Sequence, residues 1–202
     1  AFEISIRLVG SEMCIRDRVV HIDAHIDTYR GDGNQDYMRF NVATTFTRAA
    51  EEALIDVESS IHVGARGPTN DSGVFNHTRD VGYGLIDSTE LFNAGLRNTA
   101  KNIVESLKGR SVYLCFDMDF FDPSCAPGVC TPTWGGATSR EGLDFLQNLT
   151  GLNLVGADIN TVSPPHDISG MTAFLAATVG LEILSVICLL YTSDAADDLI
   201  GV

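Results

Sequence analysis

The chain has 202 residues, of which 45% are hydrophobic and 20% are charged, and its formal net charge is -14. This length is enough for one domain with a sizeable core, and the composition is typical of a soluble globular protein. The negative charge argues against nucleic acid or an anionic membrane surface as a partner, and it suits a cationic substrate. Five scattered cysteines form no CxxC pair, so we expect buried free thiols in a reducing cytosol rather than disulfides.

Strand and helix patterns alternate along the chain, which predicts a parallel α/β sheet. Strands are expected at residues 19–23, 60–64, 111–116 and 153–158, helices at 44–54, 87–107, 139–149 and 171–187, and loops at 28–41, 122–136 and 163–167. The last helix is apolar enough to pass for a membrane span, but it carries Glu182, and we interpret it as a buried amphipathic helix. In such sheets, binding sites collect at the carboxyl ends of the strands.

The two ends of the chain are related at the level of DNA. Codons for residues 12–17 can be chosen so that their reverse complement, read in a shifted frame, encodes residues 188–193. Both ends therefore resemble translated sequencing adapters, which must be set apart before the fold is interpreted. We expect residues 1–18 and 188–202 to be non-native, and residues 19–187 to be part of a longer protein.

Potential metal ligands follow two of the predicted strands. Asp23, His25 and Asp27 alternate after the first strand, and Asp117 and Asp119 alternate after the strand at 111–116. Alternate side chains of an extended segment point the same way. Burying carboxylates is costly unless they are paired or bound to metal, so the two sets predict one shared site for Mn²⁺, Fe²⁺, Ni²⁺ or Zn²⁺. The alternative is a set of solvated aspartates at loop edges.

These residues lie in longer motifs that resemble those of the ureohydrolase family, which includes arginases and agmatinases. Asp-Ala-His-Ile-Asp-Thr at 23–28 resembles the DAHxD signature, and residues 116–123 resemble the S-F-D-x-D-x-x-D-P motif. Residues 126–136 resemble the A-P-G-x-G-T-P…G-G loop, and 153–167 resemble the strand and loop that follow it. The motifs occur in the order of the family, and Phe-Thr-Arg-Ala-Ala-Glu-Glu at 46–52 makes the chain more similar to agmatinases than to arginases.

The resemblance implies a three-layer arginase-like α/β fold with a mainly parallel sheet, incomplete in its N-terminal part. It implies a cytoplasmic hydrolase of linear amidines, linked to polyamine metabolism, that acts as a homo-oligomer (trimer or hexamer). A hydroxide bridging two Mn²⁺ ions, or other ions such as Ni²⁺ or Fe²⁺, would attack a guanidino carbon and release urea. In that scheme Asp23 and Asp117 bridge both metals, and His25 and Asp119 bind one of them. Asp27 binds the other and is the catalytic residue that orients the hydroxide.

Three departures from the family pattern concern the sixth metal ligand and the substrate. The family has another metal-binding histidine in a G-G-D-H motif upstream of the DAHxD segment, and we expect it to precede this chain. Val42 stands at the position of a proton-transferring histidine, and Thr161 stands where a glutamate grips the substrate guanidinium. We assign Asn41, Thr161 and His166 to the substrate side of the site, although His166 is equally compatible with capping a loop.

Three further histidines and Trp134 have less specific interpretations. His21 is either a support for the metal site or a core residue, since it alternates in phase with the DAHxD ligands. His62 is expected to be a packed or edge histidine and His77 an exposed loop residue, while Trp134 either walls the pocket or packs the loop.

Two alternatives to a urea-releasing enzyme stay open. One is a non-catalytic ureohydrolase-like subunit, and the other is a related hydrolase of an amidino, formimidoyl or amide C–N bond.

Overall fold

The computed structural model of the protein describes residues 4–7, 17–31 and 36–198. Over these residues, six strands form one sheet in the order β1-β6-β5-β2-β3-β4. The strands are β1 (Ile4–Arg7), β2 (Arg18–Ile22), β3 (Ile61–Ala65), β4 (Gly84–Asp87), β5 (Ser111–Asp117) and β6 (Asn153–Asn160). All neighbouring strands are parallel except β1, which pairs antiparallel with β6. The predicted α/β class with a mainly parallel sheet is therefore confirmed.

Helices cover both faces of this sheet. They are α1 (Asp36–Arg39), α2 (Thr45–Glu51), α3 (Val74–Val81), α4 (Ser88–Ala94), α5 (Leu96–Ser106), α6 (Ser139–Gln147) and α7 (Met171–Asp198), with 3-10 turns at Val42–Thr44, Val57–Ser59, Met118–Phe120 and Pro164–His166. Val20 of β2 lies in the main core with apolar residues of α4 to α7, whereas Val19 packs with Phe46 of α2 on the other side. Since alternate strand residues face opposite sides, the layers are helix, sheet and helix.

A cluster of phenylalanines holds the end of β5. Phe116, Phe120, Phe121 and Phe145 are almost fully buried, and neighbouring rings in the cluster have centroids 5.6–6.0 Å apart. Each buried ring contributes on the order of 2 kcal/mol through the removal of apolar surface from water. The strand end that carries the second pair of predicted ligands is therefore fixed by the main core.

Several element boundaries differ from those predicted. We did not predict α3 or β4, because α3 has a largely polar sequence and β4 is only four residues long. The helix expected at 87–107 is divided by Gly95, which adopts φ +83°, into α4 and α5. His77 lies half-buried in α3, so its placement in an exposed loop was wrong. β1 and the end of α7 fall within residues 1–18 and 188–202, whose non-native origin stays a prediction.

Cys115, Cys125 and Cys130 carry free thiols, as expected. Cys115 and Cys125 are half-buried. Cys130 and Cys188 are exposed, which corrects the expectation of burial for these two. Burial raises the pKa of the Cys115 and Cys125 thiols, and a protonated thiol is a poor nucleophile.

Helix α7 is apolar on both of its faces. The stretch Met171–Leu189 is long and apolar enough to cross a membrane by length and composition. One face is buried, and it comprises Ala176, Val179, Ile183, Val186 and Ile187. Phe174, Leu181 and Leu184 on the remaining surface are exposed. The predicted burial of this helix is thus correct for one face. The polar outer face of an amphipathic helix is missing, because apolar residues occur all around the helix axis.

Gly142 allows α6 to approach the phenylalanine cluster. A Cβ at this position would overlap the ring of Phe121, whereas a Cβ at Gly180 of α7 would make an ordinary contact with Ile159. Alanine normally stabilises a helix relative to glycine by up to about 1 kcal/mol. Substitution by alanine is therefore expected to have opposite effects on stability at these two glycines.

We expect Gly142→Ala to destabilise the protein by about 1–3 kcal/mol, because overpacking displaces the Phe121 ring. Gly180→Ala, the matched control, is expected to be neutral or stabilising by up to about 1 kcal/mol. Urea unfolding followed by circular dichroism measures both changes. Equal effects of the two substitutions would contradict the packing described for α6.

Candidate metal centre

The ends of β2 and β5 bring the two predicted ligand sets together. These strands are parallel neighbours, with Ile22 of β2 in register with Phe116 of β5. Asp23 and Asp117 follow these two residues, so they leave the sheet side by side. The alternation of ligands that was visible in the sequence thus becomes one cluster at the carboxyl edge of the sheet, where parallel α/β folds place their sites.

Asp23, His25 and Asp119 form a first group whose ligand atoms lie within 4.8 Å of one another. His25 Nδ1 is 3.2 Å from Asp23 Oδ1 and 3.0 Å from Asp119 Oδ2. Backbone amides also hold the carboxylates: His25 N–H donates to Asp23 Oδ1 at 2.6 Å, and Ala24 N–H donates to Asp119 Oδ1 at 3.0 Å. The two carboxylates are buried, while His25 is partly open to solvent.

Asp23 also belongs to a second group, with His21 and Asp27. Asp27 adopts φ +46°, a left-handed conformation that a non-glycine residue rarely takes, and its carbonyl accepts from the Phe46 N–H at 3.1 Å. This turn brings the Asp27 carboxylate back toward Asp23. Because Asp23 is common to both groups, it is placed between the two candidate metal positions.

Asp117 is held differently from the other predicted ligands. Its Oδ1 accepts from the Asp119 N–H at 2.8 Å, and its Oδ2 accepts from the Thr161 hydroxyl. Among the described residues, Asp117 lies outside both groups of closely spaced ligand atoms. The bridging role assigned to Asp117 therefore stays a prediction.

Burial of several carboxylates at one place shifts their pKa values upward. Desolvation is the main cause for Asp117 and Asp119, and repulsion from the charge of Asp23 adds to it. The same two causes raise the pKa of Asp27 to about 7. Burial also opposes ionisation of Asp23, but the charge and hydrogen bond of His21, together with hydrogen bonds involving His25 and Asp119, lower the Asp23 pKa overall.

The pKa of His25 is raised to about 10, chiefly by its hydrogen bond to Asp119. Hydrogen bonds and protons thus offset part of the repulsion within the cluster. A divalent cation would do the same more effectively, and carboxylates with imidazole nitrogen and no thiolate suit Mn²⁺ or Fe²⁺. The residues present therefore fit a metal centre.

Arg66, directly after β3, connects the loop at 131–136 to this cluster through hydrogen bonds. Its Nη2 donates to the carbonyls of Asp119 at 2.6 Å and Thr133 at 2.7 Å. Thr131 of the same loop donates its hydroxyl to Asp119 Oδ2 at 3.0 Å. The nearby Gly136 leaves room for the guanidinium, because a Cβ there would overlap Arg66 Nη2. We predicted neither Arg66 nor Thr131; the only sequence signal is a basic residue at the end of a strand beside β2.

The residues assigned to the substrate side occupy separate positions. Asn41 caps the turn Val42–Thr44 by accepting from the Ala43 N–H, and Val42 is 82% exposed. His166 is exposed, and its Nδ1 lies 2.7 Å from the Ser163 hydroxyl, which matches the loop-capping alternative. Trp134 is 74% exposed and so does not pack the loop. Of the three assigned residues, Thr161 contacts a predicted metal ligand directly.

Two histidines lie beneath the cluster. His21 is buried, and its Nε2 is 2.9 Å from Asp23 Oδ2, so the support and core alternatives both apply to it. Its Nδ1 is 2.8 Å from Nδ1 of His62 on β3. His62 is buried against Phe46 and Tyr83, as expected of a packed histidine. Burial lowers the pKa of His62 well below its ordinary value, so this ring is neutral.

Replacing Arg66 with methionine is expected to destabilise the protein by about 2 kcal/mol, because hydrogen bonds from a charged donor to several carbonyls are lost. Arg66→Lys keeps the charge but not the planar fork, so an intermediate loss is expected. Urea unfolding measures stability, and limited proteolysis reports the opening of the loop at 131–136. An Arg66→Met variant as stable and protease-resistant as the parent would contradict the proposed role of Arg66 in holding this loop.

The raised pKa of His25 predicts the pH dependence of stability in the metal-free protein. Its contribution is fully present below the ordinary histidine pKa of about 6.5 and is lost as the pH rises through the folded-state value of about 10. We therefore expect the free energy of unfolding to fall between pH 7 and 10. In His25→Asn, which keeps a donor but does not titrate, this part of the slope disappears. Parallel profiles for the two proteins would contradict the assignment.

Comparison with known proteins gives consistent results. The family model described as "Arginase family" matches residues 7–185. The chain is 38% identical over 166 residues to an agmatinase from Photorhabdus laumondii, covering 82% of this chain and 50% of that protein. It is 35% identical over 172 residues to a guanidinobutyrase from Pseudomonas aeruginosa, covering 84% of this chain and 52% of that protein.

A solved structure supports the same assignment. Proclavaminate amidino hydrolase from Streptomyces clavuligerus aligns with a TM-score of 0.77 and 36% identity, covering 85% of this chain and 56% of that structure. The chain thus spans about half the length of the relatives it matches. The family match covers most of the sequence, and the fold has the same architecture. The chain belongs to the arginase family.

Proposed function

We propose that this chain is part of a binuclear manganese hydrolase that cleaves a guanidino C–N bond and releases urea, as an agmatinase-like enzyme. The observation that carries this proposal is the set of five oxygen and nitrogen donors at the ends of β2 and β5. They are Asp23, His25, Asp27, Asp117 and Asp119. Membership of the arginase family supports the reaction class.

In this proposal each side chain has a defined task. Asp23 and Asp117 would contribute to both metal positions, His25 and Asp119 would hold one ion, and Asp27 would hold the other. When bound, the cations supply Lewis acidity and lower the pKa of water for attack on the guanidino carbon. The carboxylate of Asp27 would orient the attacking water. The acidic edge of the sheet attracts the cationic substrate and excludes anions.

The length of the relatives extends the proposal beyond this chain. We propose that residues upstream of the sequence complete the metal centre with a histidine, and that the whole protein is a cytoplasmic homo-oligomer. Residues 19–187 would then be the native portion, and residues 1–18 and 188–202 would be non-native. A genomic copy that encodes both flanks in place would contradict this division.

A second candidate concerns the bond that is cleaved. Thr161 stands where we expect a substrate-gripping glutamate, and its hydroxyl donates to Asp117 instead of presenting a charge to substrate. Thr161 also adopts φ +72°, which is unusual for a β-branched residue. These observations favour an altered substrate pocket. The alternative reaction is hydrolysis of a related amidino, formimidoyl or amide C–N bond by the same metal centre.

A urea-release assay tests the proposal. The full-length, manganese-loaded protein is expected to release urea from at least one of agmatine, 4-guanidinobutyrate and 3-guanidinopropionate, while the 202-residue chain alone stays inactive. Removing the metal with a chelator should abolish turnover, and added Mn²⁺ should restore it. Ammonia or formamide release without urea would favour the second candidate. Full metal loading with no turnover of any compound would favour a non-catalytic subunit.

Asp117→Ala in the full-length protein is expected to remove both metal equivalents and reduce urea release to background, because a carboxylate shared by two cations is lost. Asp144→Ala is the matched control. It removes a carboxylate from a surface ion pair with Arg97 on α5, away from the cluster. Metal content by elemental analysis and urea release check both variants. Near-normal metal content in the Asp117 variant would contradict the shared role.

A further inference from the structure

The hydrogen bond between His21 and His62 crosses from one strand to the next. The two residues are in register on β2 and β3, and both side chains are buried. Their Nδ1 atoms are 2.8 Å apart, a distance that requires one proton between two nitrogens. The other nitrogen of His21 faces Asp23 Oδ2 at 2.9 Å. Asp23, His21 and His62 therefore form a continuous chain leading away from the candidate metal centre.

The direction of these hydrogen bonds follows from their end points. Asp23 presents a carboxylate oxygen to His21, so His21 donates to it from Nε2. The proton between the two Nδ1 atoms belongs to His62, because a proton on its Nε2 would find no acceptor. The Nε2 atom of His62 is buried without a hydrogen-bond partner. A bare nitrogen there is less costly than an unsatisfied N–H, which would lose a strong donor interaction with water.

The surroundings leave His62 little freedom to take another orientation. Its ring lies 4.9 Å from the ring of Phe46 and 4.8 Å from that of Tyr83, both edge-on. Tyr83 donates its hydroxyl to the Phe46 carbonyl at 2.8 Å, so the two aromatic walls are themselves connected. A ring fixed in this way presents its Nδ1 to His21 in a constant direction.

We propose that His62 is a positioning residue for the metal centre. Its Nδ1–H holds His21 in the tautomer that donates to Asp23, and it thereby fixes the carboxylate that both ligand groups share. This inference rests on the proposed metal centre and deepens it. His62 itself touches none of the five proposed ligands; it acts through His21. Loss of such outer hydrogen bonds typically weakens metal affinity by about 10- to 100-fold.

Mn²⁺ affinity of variants of the full-length protein, measured by isothermal titration calorimetry, tests the proposal. His62→Leu removes the donor at similar size, and the affinity is expected to fall by about 10- to 100-fold. His62→Asn places an amide N–H near the position of Nδ1 and should bind Mn²⁺ close to the parent. Tyr83→Phe is the packing control, because it removes a hydrogen bond from the same aromatic cluster without touching His21. It should change stability but not affinity.

A double variant separates the hydrogen-bond role from a packing role. In His21→Gln the side-chain amide can still donate to Asp23, but the variant has no acceptor at the position of the His21 Nδ1 atom. The His62 proton then has no partner, so adding His62→Leu to this variant should cause no further loss of Mn²⁺ affinity. An additive loss, or unchanged affinity in His62→Leu alone, would overturn the role of His62. If the parent protein bound no Mn²⁺, the proposed metal centre itself would be overturned, and the role of His62 with it.

Discussion

Repulsion among carboxylates that are buried at one edge of the sheet is the constraint on which the rest of this structure depends. Asp23, Asp117 and Asp119 leave adjacent strands within a few residues of one another and are withdrawn from water. Such an arrangement destabilises a fold unless protons, hydrogen bonds or cations offset it. Every contact that surrounds the cluster can be understood as part of that compensation.

The compensation is distributed over several elements of the fold. His21 acts on Asp23 from β2 and His25 from the turn after it, and Thr161 acts on Asp117 from directly after β6. Arg66 acts on the cluster through its positive charge, which attracts Asp119 and Asp23, while its guanidinium donates to the carbonyls of Asp119 and Thr133. The phenylalanine cluster beneath β5 prevents the strand end from moving apart to relieve the repulsion. A rigid base under a repulsive cluster is what a preformed cation site requires, since relaxation would destroy the geometry.

The extent to which sequence predicts this structure depends on the separation of the interacting residues. The ligand pattern after β2 and β5 is local, because alternation along a strand places the donors on one side regardless of the rest of the chain. Contacts made by His62 and Arg66 join residues 41 and 67 positions apart, and no local pattern marks them. β4 has only four residues, and its place beside β3 is set by pairing in the sheet rather than by its own sequence. The apolar outer face of α7 was missed for a different reason: a single Glu182 suggested a polar side that the helix does not have.

The arrangement of Arg66 under the loop at 131–136 has an evolutionary consequence. A side chain at position 136 would overlap the Arg66 guanidinium, and it would also overlap backbone atoms of Phe120 and Asp122. A lineage that loses the arginine therefore still needs the glycine, because the backbone of Phe120 and Asp122 stays in place. Position 136 should therefore stay glycine among relatives even where position 66, 70 residues away by the numbering, has changed.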